Sequence, residues 1–492
     1  MNAVRIAVLL MTVQRYFGMV VNFATVAVVS RLLLPEEIGL AVIGSSITII
    51  AMSAREFAST NFLVQKKDLS QADIRAVFSV LAVVTGVVSV GLSLAAPWIA
   101  AAYGEPSLAP YLRVTALATF LEIAAALVTA LMQRNMAFGK VAMITALQVG
   151  SGALATIAFA MAGFSAMSYA WAWLISAACS GLLAVYLWRD LSVFAPVAKG
   201  WGEMLTFSFY SGANQFLYRL YESLPYLFLG RLISMDAVGL YNRAMTLCQL
   251  PDKVFLTGVM AVGLSAFSAE ARKEGSLKQP YLRAVSYMTA LHWPALTTIA
   301  ILAHPIVEIL LGSQWTGAVP LVQIISLALL FSSTAELNYP VLVALGAIRA
   351  TFWRAIIIWP VSAAVVSIAA LWGLKVMALS LFFVVPFQAY VSIYPVRSRL
   401  ELRWRELWDS TRKSFIVTLF SMTGPLAVTA LAGFRFDLPI HWGLGAGMLA
   451  AAGWMAGLWL TNHPLLEEIA RISILIRHSR LGRVVARQRA SD

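Results

Sequence analysis

Arg219 and Glu222 stand near the middle of an apolar stretch that runs from Ser208 to Leu240 and is long enough to cross a membrane as a helix. At 100° per residue they share one face with Ser208, Ser211, Gln215 and Tyr218, while Phe209, Phe216, Leu217, Leu220 and Leu224 occupy the other side. A guanidinium on such a face offers paired donors to a phosphate, and amides and phenols offer hydrogen bonds and ring faces to sugars. A carboxylate beside them can answer to a proton or a sodium ion. Comparable groups interrupt other apolar runs: Gln14, Arg15 and Asn22 in the first, Arg55 and Glu56 in the second, Asn214 beside Gln215, and Asp252 and Lys253 after Pro251. An ion facing lipid at mid-bilayer costs roughly 2.5–3.5 kcal/mol, so these groups should face a cavity or one another. Arg219, Arg15, Arg55 and Lys253, with Gln215, Tyr218, Asn22 and Asn214, are the candidates for a substrate cavity. Glu222, Glu56 and Asp252 are the candidates for ion coupling. Plainer roles stay open: Arg15 reaching to the membrane surface, Arg219 with Glu222 as an internal pair, and Arg55/Glu56 or Asp252/Lys253 as structural ion pairs. Adjacent residues on a helix point about 100° apart, so partners for the last two couples must come from other helices.

The elements that position these groups are membrane helices. The 492 residues are 60% hydrophobic and 12% charged, with a mean hydropathy of +0.80, far from the composition of a soluble chain. Apolar runs of roughly 20 residues recur from end to end, about fourteen in all. The expected fold is an all-α polytopic membrane protein. A net charge of +13 could suggest nucleic acid, but most of the Lys and Arg residues fall in alternate loops and in the C-terminal tail. That asymmetry predicts both termini in the cytoplasm and no nucleic-acid partner. Cys179 and Cys248 lie inside predicted helices and are expected to be packing residues, neither disulfide-bonded nor metal-binding. The first apolar segment lacks a cleavage-site pattern and is expected to be an anchor helix.

The chain repeats itself. RLLLPEEIGL at Arg31 to Leu40 reappears as RLISMDAVGL at Arg231 to Leu240, and WIAAAYGEPSLAPYL from Trp98 is echoed by IVEILLGSQWTGAVPLV from Ile306. Two related six-helix lobes follow, over 1–200 and 201–400, then an amphipathic linker with two further helices over 401–461 and a basic cytoplasmic tail over 462–492. The basic stretch Arg397 to Lys413, with Leu400, Leu402, Trp404, Leu407 and Trp408 interleaved, is expected to lie as a helix on the anionic inner leaflet. There is no GxxxxGK[ST] phosphate loop and no metal-ligand spacing among the five histidines. Predicted outside loops are too short to build a polymerase or ligase site. A cavity between repeats remains, which is transporter architecture and not that of an enzyme.

The segments SRLLLPEEIGL, FLVQKKDLS at Phe62 to Ser70, QRNMAFGK at Gln133 to Lys140, GLYNRAMTLCQLP at Gly239 to Pro251 and LGSQW at Leu311 to Trp315 resemble the Wzx-like polysaccharide-exporter flippases. These belong to the multidrug/oligosaccharidyl-lipid/polysaccharide superfamily, and the resemblance is to the colanic-acid and succinoglycan-type exopolysaccharide branch. It spans roughly residues 10 to 400. It implies two lobes around a V-shaped cavity as in MATE transporters, a bacterial inner-membrane location and a substrate of undecaprenyl pyrophosphate carrying an oligosaccharide repeat unit. Other polysaccharide-assembly proteins are the implied partners. No cofactor is expected, and transport would be coupled to a proton or sodium gradient by alternating access. A drug/sodium antiporter or a lipid II flippase of the same superfamily is the alternative, and a membrane polymerase or glycosyltransferase the alternative of another class. A cavity rich in basic side chains argues against the first, because exporters of organic cations favour acidic and aromatic linings.

Overall fold

The computed structural model describes residues 2–58, 60–197, 201–256, 267, 276–334 and 337–470. Among them every regular element is helical. The chain opens with α1 (Asn2–Leu32) and α2 (Pro35–Met52). A 3-10 segment, Ser53–Ala58, and a short helix α3 (Asn61–Gln65) complete that span. Next come α4 (Gln71–Tyr103), α5 (Leu108–Arg134), α6 (Phe138–Met161), α7 (Met167–Trp188), α8 (Trp201–Leu232) and α9 (Met235–Cys248). A five-residue π-helical segment, Asp252–Leu256, follows Pro251. Beyond it lie α10 (Lys278–Ile301), α11 (Ala303–Leu310), α12 (Val319–Ala328), α13 (Asn338–Ala344), α14 (Ile348–Ala370), α15 (Leu374–Arg399), α16 (Trp404–Leu431) and α17 (Ile440–Leu460).

Local chemistry explains where these helices start and stop. Pro35 sits in the first turn of α2, where its missing N–H is no loss, and Glu37 accepts a 2.7 Å bond from the Leu34 N–H. Ser70 and Asp73 cap α4 reciprocally, and Gly104 ends it in the left-handed region at φ +70°. Pro251 removes a helical donor just before the chain widens into the π segment.

Eleven of the described spans are long and apolar enough to cross a membrane, or twelve if α10 and α11, bent by 83°, form one. The expectation of about fourteen also counts α8, 32 residues long but with a polar face, and the segment that opens with α9 and leaves the described residues at Leu256. Large apolar side chains cover the outside of these helices: on α4, Val83, Val87, Val90 and Leu94 are exposed while Ser79 and Thr85 are buried. Such a surface is stable only against lipid.

The chain forms two compact units. The first comprises Met1–Arg243, Leu310–Gly317 and Trp359–Met377; the second comprises Ala244–Ile309, Ala318–Ile358 and Ala378–Asp492. Packing therefore does not divide at residue 200, where the sequence repeat does: α8 and the start of α9 pack with the first repeat. In the first unit Leu63, Val77, Leu81 and Leu127 form one core cluster, and Val128, Met132 and Ile144 another. In the second, Tyr281, Val285, Met288, Val341 and Val396 are fully buried together. The basic stretch Arg397–Lys413 is not a separate surface helix. It is the end of α15 and the first turns of α16, because Lys278 ties it back through Glu406 at 2.9 Å and the Glu401 carbonyl at 3.0 Å. Most of the loop from Ser268 and the tail beyond Ala470 lie outside the described residues.

Candidate functional site

The first unit holds two polar cavities that share a wall. α2 tightens into the 3-10 segment Ser53–Ala58, which carries Arg55 and Glu56. Arg55 Nη1 reaches Glu122 Oε2 of α5 at 3.3 Å, and the indole N–H of Trp173 on α7 donates to Glu122 Oε1 at 2.7 Å. One carboxylate thus joins three elements, with the Arg55 and Glu122 side chains about one-fifth exposed. Arg55, Glu56, Thr119, Glu122, Trp173 and Arg219 line a cavity of about 330 Å³. On the other side of Glu122 and Trp173 lies a second cavity of about 270 Å³, lined also by Ser45, Gln148, Thr156 and Tyr169. It carries no cationic side chain among its described lining. Ser45 Oγ and Tyr111 Oη share a bond of 2.8 Å at its edge.

α8 presents Arg219 to the first cavity by packing against the 3-10 segment through Gly212, where a Cβ would come within 2.9 Å of the Phe57 backbone nitrogen. Arg219 Nη1 pairs with Glu222 Oε2 at 3.0 Å one turn away, and the Tyr218 hydroxyl donates to Glu222 Oε1 at 3.3 Å. Trp359 packs against the Tyr218 and Tyr221 rings. The Arg219 and Glu222 side chains are 39% and 50% exposed, so each can exchange its partner for a ligand at small cost.

Where the two copies of the repeat begin, the backbone contacts are reciprocal. A Cβ on Gly39 would overlap the Met235 carbonyl oxygen, and a Cβ on Gly239 would overlap the Pro35 carbonyl oxygen. Equivalent glycines of the echo thus bring α2 and α9 into direct backbone contact. Beside this closure Arg243 is buried, its Nη2 donating to the Tyr169 hydroxyl at 2.8 Å and its guanidinium 5.7 Å from the Trp315 ring. The Trp315 indole N–H donates to the Ser30 carbonyl at 2.6 Å, and Gln314 donates to the carbonyls of Ser30 and Leu33.

The sequence-predicted residues are therefore distributed unequally. Arg55, Glu56 and Arg219 meet at one cavity, with Tyr218 and Glu222 beside Arg219 on α8. Gln215 lies on α8 one turn before Arg219, half-buried, and the side chain of Asn214 is outside the described residues. Arg15 and Asn22 are exposed on α1 and line neither cavity. Asp252 belongs to the second unit, where its Oδ1 approaches Nε2 of the fully buried His292 to 2.6 Å, without the alignment of a hydrogen bond. Lys253 beside it is exposed. Both adjacent couples, Arg55/Glu56 and Asp252/Lys253, find a partner on another helix. Sequence reasoning missed Glu122 as the hub, Trp173, Arg243 and His292. Glu122 could have been found, since it is the one carboxylate within α5. Cys248 is buried against Ser326 and neither cysteine is disulfide-bonded.

Comparison with known proteins agrees with this architecture. The polysaccharide biosynthesis protein family matches residues 28–320. The succinoglycan biosynthesis transport protein ExoT of Rhizobium meliloti (strain 1021) is 25% identical over 343 residues, 69% of either chain. The lipopolysaccharide biosynthesis protein WzxC of Escherichia coli (strain K12) is 23% identical over 315 residues, 63% of either chain. Among solved structures, the lipid II flippase MurJ in an inward closed conformation superposes with a TM-score of 0.75 at 13% identity, covering 94% of this chain and 99% of that one. An inward-facing MATE family transporter of the MOP superfamily gives 0.65 at 16% identity over 78% and 94%. The last two likenesses establish the fold, which is that of these two structures. With a family match extending over more than half its length, the chain belongs to the polysaccharide biosynthesis protein family.

Proposed function

We propose that this protein is an inner-membrane flippase that carries an exopolysaccharide repeat unit, linked through pyrophosphate to undecaprenol, across the bacterial cytoplasmic membrane by ion-coupled alternating access. The observation that carries this reading is the cavity of the first unit, where Arg55 and Arg219 face a space bounded by Glu122 and Trp173 inside an apolar helical bundle. A pyrophosphate and several sugars cannot cross hydrocarbon unaided, because their oxygens would lose their hydrogen bonds. Arginine forks supply those bonds to the phosphates, and the second cavity, with Gln148, Thr156, Tyr169 and Trp173 beside the Glu122 carboxylate and no cationic side chain among its described lining, suits a sugar ring. The prenyl tail stays in lipid. In this reading both termini are cytoplasmic, Glu56, Glu222 and Asp252 are the places where a driving proton or sodium ion would act, and the protein works beside the other proteins of polysaccharide assembly.

Deleting the gene and extracting lipid-linked sugars tests the proposal. Complete repeat units should build up on the cytoplasmic leaflet, and the chain carrying Arg219→Ala should reach the membrane without relieving the build-up. Unchanged or incomplete intermediates, or normal polysaccharide secretion by that variant, would sink it; accumulated lipid II instead would reassign the cargo.

A further inference from the structure

Arg243 is 5% exposed, and among the described residues its partners are all neutral: the Tyr169 hydroxyl at 2.8 Å, the Asn242 amide oxygen at 3.4 Å and the Trp315 ring. Its Nε has no hydrogen-bond partner there. A guanidinium taken out of water without a counter-anion is costly, whereas an apolar residue of similar volume would pack at such a place without that penalty. The open demand is for an acceptor that brings negative charge.

The surroundings say which way the anion would arrive. Arg55 and Arg219 line the first cavity, whose wall of Glu122 and Trp173 is also a wall of the second. Tyr169 lines the second cavity, and its hydroxyl is the group that Arg243 holds. Two cavities and one phenol thus separate the cations of the charged cavity from Arg243 within one unit. Arg243 in turn rests on Trp315, whose indole holds the end of α1 at Ser30, next to the glycine contact between α2 and α9.

We propose that Arg243 is a second binding station for the diphosphate group of the substrate, and that capture of the diphosphate there draws the guanidinium from Tyr169 and Trp315 and unfastens the closure. The proposal rests on the flippase reading and adds to it a site with its ligand class. A diphosphate presents paired anionic oxygens to the fork of a guanidinium and outcompetes a neutral phenol for it. Arrival of the cargo and release of the barrier ahead of it become one event, since the group that receives the first also secures the second.

The test uses the full chain in lipid nanodiscs, with Cys179 and Cys248 replaced by alanine, Ser30→Cys as a reporter and farnesyl diphosphate as the probe. Farnesyl diphosphate should speed modification of the reporter by a charged thiol reagent about tenfold. With Arg243→Gln the response should vanish, and with Arg243→Lys, a point charge without the fork, it should be partial. Tyr169→Phe, which removes the competing hydroxyl and keeps the arginine, should tighten farnesyl diphosphate binding about threefold in equilibrium dialysis. Fast modification of Arg243→Gln without any diphosphate, and no further rise when it is added, is what loss of the fastener predicts; a response to farnesyl diphosphate in that variant equal to that of the unaltered arginine overturns the station. If Arg243→Gln does not fold, unaltered binding by Tyr169→Phe overturns it as well. Dialysis separates the two proposals. Binding that needs Arg55 and Arg219 but not Arg243 removes the station and keeps the flippase reading, whereas no binding by the unaltered chain removes both.

Discussion

Each unit contains a polar hub that ties three segments together, and the two hubs are built from opposite chemistry. In the first unit Glu122 is charged, bonded to Arg55 and Trp173, and bordered by cavities on both sides. In the second unit His463, 1% exposed just beyond α17, faces Ser286 of α10 and Ser414 of α16 at 3.2 Å each through Nε2. Its Nδ1 accepts from the Leu465 N–H at 3.1 Å, which leaves the proton on Nε2. Burial holds this imidazole down at about 4, with Lys413 adding to the effect, so it is neutral at pH 7. The Ser414 hydroxyl donates to the Ser286 carbonyl and receives a bond from Thr289, and every polar atom in the knot is used within the protein. The difference separates fastening from function: a hub that spends all its hydrogen bonds inward can only hold helices, whereas a charged hub beside open space can also exchange partners with a ligand.

Glu122→Ala should have the largest effect. It strands Arg55 and Trp173, so it should cost about 3 kcal/mol in a denaturant titration of the purified protein and abolish export. If stability falls and export survives, Glu122 is no different in kind from His463. Next in size is the closure at the repeat. Gly39→Val and Gly239→Val should each cost about 1–3 kcal/mol by forcing α2 and α9 apart, read as a lower thermal midpoint. Equal losses in the two variants would show that the contact is reciprocal in energy as well as geometry.

The histidine hub makes a prediction in pH. Its folded-state value lies below the ordinary 6.5, so the unfolded chain binds the proton more readily. Its contribution is full above about pH 6.5 and is lost as pH falls toward about 4, and His463→Gln should flatten the thermal midpoint across that window. The smallest change in stability belongs to Glu222→Gln. That carboxylate is half exposed, so unfolding should shift by less than about 1 kcal/mol, and any loss of export would then report on function alone.

How much of this was legible in the sequence differs by level. The helices and the repeat were, because hydropathy and turn chemistry are local: the two copies around Gly39 and Gly239 are visible as strings and meet as backbones. The polar groups that interrupt the apolar runs were legible too, yet Arg15 and Asn22 stand exposed on α1 while Arg219 lines a cavity. A helix that is apolar nearly all round carries no mark of which face meets protein and which meets lipid. His292 and Trp173 gave no signal, because a buried histidine or tryptophan reads as packing until its partner is known.

By itself, then, the amino-acid sequence determined that this is a multi-pass helical membrane protein with an internal repeat and the motifs of a polysaccharide-export family, since each of these is a sum over neighbouring residues. Only the tertiary structure decided that Arg55 meets Glu122 and Trp173, that Asp252 meets His292 and that Arg243 is left among neutral partners. Those meetings join residues tens of positions apart, and they depend on how each helix is rotated about its axis. That rotation is set by packing of the whole bundle rather than by the period of any one segment.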